Sequence, residues 1–143
     1  MAIAVTDIAT QVVKALANNA AVTATADGSE IDLSDVVGPL TLTLHIGAVT
    51  GTSPTLGVAL KTAPVSGGTF ATSPEGTLFS LVAADANTVK TVTLPQTVNG
   101  FVKISFTAGG TSPSFTLSAL AFGQKHISGT GGQGYSLTPT TAY

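Results

Sequence analysis

Cysteine is absent from this chain, and with it any disulfide framework, thiolate nucleophile or cysteine-ligated zinc. Arginine and tryptophan are absent too; the five basic residues are all lysines, Lys14, Lys61, Lys90, Lys103 and Lys125. With a net charge of -2 there is no basic stripe to neutralise phosphates, so nucleic acid is not an expected partner. Charged residues make up only 8%, against roughly a quarter in typical domains, so Thr, Ser, Asn, Gln and Gly must supply the polar surface. A surface so poor in charge suits a subunit packed in an assembly. Long apolar runs are missing as well. No stretch approaches the ~18 residues of a membrane helix, and the mean hydropathy of +0.45 is spread over short segments. The N-terminus, interrupted by Asp7 and Lys14, lacks the charged start and sustained apolar run of a signal peptide. The expectation is a protein made and used without export and without membrane contact.

What is present is alternation. At 143 residues the chain has the length of one domain, able to bury about two-thirds of its unfolded surface. Two stretches share a design: 40–61, LTLTLHIGAVTGTSPTLGVALK, and 101–122, FVKISFTAGGTSPSFTLSALAF. Each carries Gly-Thr-Ser-Pro at its centre, Gly51 to Pro54 and Gly110 to Pro113. Period-2 alternation puts Leu40, Leu42, Leu44 and Ile46 on one face of a strand, with Thr41, Thr43 and His45 on the other. Val102, Ile104 and Phe106 likewise oppose Lys103, Ser105 and Thr107. Gly and Pro at the centre read as a turn, so each stretch predicts a β-hairpin.

Further strands are expected at 30–33, 77–82 and 88–94, with turns at Asp27-Gly28 and Asp85-Ala86-Asn87. Residues 64–74 read as a Gly- and Ser-rich loop or broken edge strand anchored by Phe70. The total is seven or eight strands joined at short spacing, with no helix after residue 26. That predicts an all-β fold, an antiparallel β-sandwich of jelly-roll-like or immunoglobulin-like topology spanning residues 27–126. Residues 1–26 are read as an extended N-terminal arm or a short helix, since Ile8, Val12, Val13 and Leu16 fall at helix-like spacing behind a capping Thr6 or Asp7. Residues 127–143 form a Gly-rich tail with no period, anchored only by Tyr135, Leu137 and Tyr143.

Catalytic chemistry is sparse. His45 lies on the polar face of a strand and His126 begins the tail; no Gly-x-Ser-x-Gly elbow accompanies either. Asp27, Glu30, Asp32 and Asp35 form the densest acidic region, a candidate cation site whose spacing does not match an EF-hand loop. A turn Asp, two outward strand carboxylates and a cap at Asp35 account for them more simply. Residues 129–134 satisfy G-x-G-x-x-G, but the strand before, helix after and βαβ unit that a dinucleotide fingerprint requires are missing. Phe101, Phe106, Phe115 and Phe122 read as core or interface. No enzyme activity, cofactor or metal is expected.

Three stretches, DGSEIDLSDVVGPLTLTLHIGAVTGTSPTLGVAL, ADANTVKTVTL and SFTLSALAFGQKH, carry a resemblance across residues 27–126 to the small β-rich decoration, or cement, proteins of tailed-bacteriophage heads. The chain departs from the pattern after Lys90, where Thr91-Val92-Thr93 replaces further basic residues, and after His126. The resemblance implies a virion protein, made in the host cytoplasm, that binds the outside of an assembled capsid and bridges major capsid protein subunits. It further implies a homo-oligomer, trimer or dimer. The two charge-poor ends would act as straps, placing partner contacts at Ile3, Val5, Ile8, Val12, Val13, Tyr135, Leu137 and Tyr143. The competing expectations are a head-tail connector, tail or fibre component, and a carbohydrate- or receptor-binding β-sandwich module.

Overall fold

The structure, a computed structural model, describes residues 8–94 and 100–127. Its strands are β1 (Ile8–Val22), the two-residue β2 (Ala26–Asp27) and β3 (Ile31–Asp32), β4 (Val36–Ala63), β5 (Ala71–Val82), β6 (Thr88–Leu94) and β7 (Phe101–Ile127). A single 3-10 turn, Ala83–Asp85, joins β5 to β6. Every ladder is antiparallel. The fold is the all-β antiparallel sandwich that the alternation predicts.

The two expected hairpins do not form. β4 and β7 each run straight through their Gly-Thr-Ser-Pro and pair with one another from end to end, from Val36 opposite Lys125 to Ala63 opposite Phe101. In a hairpin the residues flanking the turn would pair together; instead Thr50 pairs with Ser114 and Thr55 with Gly109. The two motifs meet across this ladder, with Thr52 opposite Thr111. Their backbones take matching unusual angles: φ is +118° at Gly51 and +95° at Gly110, and +48° at both Ser53 and Ser112. Those angles turn each strand through a corner without reversing it, and the partner strand, turning alongside, keeps the backbone groups paired.

The corner divides the ribbon into two sheets. Sheet one has the order β1, C-terminal half of β7, N-terminal half of β4, β6; sheet two has β2 with β3, N-terminal half of β7, C-terminal half of β4, β5. With the long strands halved, this is the eight-strand order of a jelly roll. The duplication is also larger than the two motifs. Val22 pairs with Phe115 and Ala20 with Leu117; displaced by 59 positions in each strand, the same pairs recur as Leu81 with Leu56 and Phe79 with Val58. Thus β1 corresponds to β5, β2 and β3 to β6, and β4 to β7.

Residues 8–22 form neither a short helix nor a free arm. Spacing at Ile8, Val12, Val13 and Leu16 satisfies a helix, but β7 offers β1 a ladder starting at Ile8 opposite Ile127, and period-2 burial wins. Val12 packs against the core while Val13 points out, 52% exposed. Bulges between Ala15 and Ala20 then bring both Leu16 and Val22 inward.

The core lies between the sheets as one cluster drawn from both: Leu42, Leu44 and Leu117 from sheet one, Leu56, Val58 and Ile104 from sheet two. Phe106 and Phe115 are core residues, whereas Phe122 lies half-buried on the outer side of sheet one. The two outer faces differ in chemistry. Sheet two places Lys61 directly opposite Lys103, with Asp27 opposite Ser105 beside them. Sheet one presents no described charged side chain on its outer face; its outward rows are Thr41, Thr43 and His45 on β4, with Ser118, Leu120 and Phe122 on β7.

Candidate attachment site at the terminal corner

Antiparallel pairing of β1 with β7 brings both ends of the described body to one place. Ile8 opposes Ile127, the outermost rung of the ladder. Of the eight residues predicted as partner contacts, Ile3, Val5, Tyr135, Leu137 and Tyr143 lie outside the described residues. Ile8 pairs at the outermost rung, Val12 is engaged by the core, and Val13 is exposed. The corner lies at the opposite end of sheet one from the Gly-Thr-Ser-Pro bend, twelve residues along β7 from Phe115.

A groove of about 410 Å³ opens beside this corner, lined by Gln11, Pro39, Thr41, Phe122, Gly123 and Gln124. Its origin is a register shift. Val37 pairs with Gln124 but Thr41 with Phe122, so β4 carries two more residues than β7 across this interval. Gly38-Pro39 takes up the excess, and proline is tolerated where a strand bulges because it has no N–H to leave unpaired. Opposite it, Gly123 is required by close approach: a Cβ there would stand 2.5 Å from Cγ1 of Val36. The lining is neutral, with two amides, a hydroxyl and one half-buried aromatic ring. It can hydrogen-bond a neutral polar ligand or a peptide backbone and stack on one flat group. Sequence reasoning passed over this groove; Gly-Pro inside an alternating strand was the available sign of a bulge.

The acidic region does not assemble into a cation site, because Asp27, Glu30 and Asp32 are each held by a different local partner. Lys61 donates to Asp27 at 3.0 Å, and this bond, with one from Ser105, holds the Asp27 carboxyl below its ordinary pKa. Glu30 accepts from the Ser66 hydroxyl at 2.5 Å and the Gly67 N–H at 2.8 Å, which lowers its pKa and pins the 64–70 loop. Asp32 is lowered by the hydroxyl and N–H of Ser34. Asp85 is lowered by the Val82 N–H and by Lys90, closing the turn between β5 and β6. No three metal-ligating side chains gather among the described residues. Lys103, whose charge also acts on Asp27 and Glu30, rests 4.5 Å above the Phe70 ring.

His45 is exposed between Ser118 on β7 and Val89 on β6, with no acid beside it. The His126 side chain and the G-x-G-x-x-G stretch lie outside the described residues. No helix among the described residues is long and apolar enough to cross a membrane. Comparison with known proteins yields no matching family model and no matching curated relative.

Proposed function

We propose that this chain is a structural protein of a tailed-phage virion that binds the outside of the capsid and bridges coat subunits. The observation that carries the reading is the pairing of Ile8 with Ile127, which puts both ends of the described jelly-roll body at one corner, while Asp27 and Glu30 serve the fold. A body of this kind sets position, and the segments beyond Ile8 and Ile127 would reach across a seam between neighbouring subunits. The sparse charge of the chain agrees with a life in an assembly, and the resemblance across residues 27–126 names the assembly. The test is to mix the purified full chain with capsids that lack it and measure occupancy. Saturable binding at micromolar concentration, lost on removal of residues 128–143, is expected. No binding at that concentration would overturn the proposal.

The groove favours one second reading, a module that binds neutral carbohydrate, since an aromatic ring flanked by Gln11, Gln124 and Thr41 offers stacking and neutral hydrogen bonds together. Glycan-array hits abolished by Phe122→Ala would support it, and a blank array would remove it.

A further inference from the structure

We infer that the outer face of sheet one is a self-association surface through which two copies of this chain pack face to face. The face is built in rows read straight across the ladders. One row is Val13, Phe122, Thr41 and Thr93; the next is Ala15, Leu120, Thr43 and Thr91; the third is Ser118, His45 and Val89. Apolar groups fill the β1 and β7 side. On the other side the threonines satisfy one another across the ladder, Thr41 with Thr93 at 3.3 Å and Thr43 with Thr91 at 3.5 Å, and turn no unpaired charge outward. Two of the most exposed large apolar residues, Val13 at 52% and Val89 at 59%, sit at its opposite rims.

Charge selects the occupant. A charged partner would strand its ions against methyl groups and already-paired hydroxyls, which is costly. Sheet two of the same molecule, with Lys61, Lys103 and Asp27, is such a surface and is excluded as the mate. The neutral face of a second copy meets the requirement, and a two-fold axis makes one patch serve both sides. Its size sets the strength. Four strands about 4.8 Å apart and about seven residues long at ~3.3 Å each cover roughly 400–500 Å² per copy, so roughly 900 Å² is buried in total. That is under the ~1,200 Å² lower bound of stable interfaces and corresponds to a weak, concentration-dependent dimer.

Sedimentation equilibrium of the full chain from about 10 µM to 1 mM tests this. Dimer is expected to grow with concentration. Val89→Glu, at the exposed rim of the face, should abolish it. Val82→Glu, on sheet two, serves as the control and should leave it intact. A chain that is monomeric at 1 mM, or a dimer indifferent to Val89→Glu, would overturn the inference. Neither result bears on capsid occupancy, which is measured separately.

Discussion

Substituting Gly110 by Ala probes the corner on which the whole ribbon turns. Two costs add. At φ +95° an L side chain adopts a backbone conformation worth roughly 1–3 kcal/mol of strain. Its Cβ would also collide with the Ser53 carbonyl of the facing motif, and moving backbone to admit it costs roughly 1–3 kcal/mol more. The sum, about 2–6 kcal/mol, is a large share of the ~5–15 kcal/mol that stabilises a typical domain. Gly76 provides the control: φ is +66° there, but nothing lies within 4 Å of an added Cβ. Gly76→Ala should therefore cost only about 1–2 kcal/mol. At about 3 °C per kcal/mol for a chain of this size, the expected losses are about 6–18 °C and about 3–6 °C. Urea unfolding followed by circular dichroism gives the free energies directly, and the slope m should not change. Gly51→Ala, whose Cβ would stand 2.7 Å from the Ser112 carbonyl, should cost about as much as Gly110→Ala. The double variant should cost less than their sum, because one displaced corner accommodates both methyl groups. If Gly110→Ala proves no worse than Gly76→Ala, or if the two corner substitutions add fully, the two motifs do not brace one another.

Phe115 is fully buried at the start of the second half of β7, and Phe115→Ala should lose about 3–5 kcal/mol by denaturant titration. Asp27→Asn leaves Lys61 and Lys103 directly opposed without a counter-ion; with side chains about a third exposed, the loss should stay under about 1 kcal/mol and shrink in 1 M salt. The folded pKa of Asp27 is depressed, so its contribution is complete above its unfolded pKa of about 3.9 and disappears as pH falls through the lower folded value. Melting temperatures of the parent and Asp27→Asn should therefore converge toward pH 2. Deleting residues 1–21 removes Leu16 from the core and strips β7 of a ladder partner, so it should lower the melting temperature by more than about 10 °C; a shift under 3 °C would show that β1 adds little to the body.

Much of this fold is legible locally. The alternation at 40–46 and 102–106 is sufficient to say which side chains are buried, because a strand's side-chain period is two wherever the strand pairs. The single turn at Asp85 to Asn87, with φ +59° at Asn87, follows from residue types that tolerate it. The expected strand at 77–82 extends back to Ala71, because pairing with Lys61 and Thr62 recruits residues with weak propensity of their own. The groove is less legible, since Gln11 and Gln124 are adjacent only through the β1–β7 ladder.

The amino-acid sequence alone determines that this is a charge-poor, all-β chain with a duplicated Gly-Thr-Ser-Pro design and two weakly patterned ends. Which strand lies beside which is decided only by tertiary structure. A Gly and a Pro read identically whether a chain reverses on itself or turns a corner beside a partner; the difference lies in hydrogen bonds to residues some sixty positions away. The same non-local pairing turns a helix-like spacing at 8–16 into a strand and brings both ends to one corner. It also sorts the charges, so that one outer face carries Lys61, Lys103 and Asp27 and the other presents no described ion.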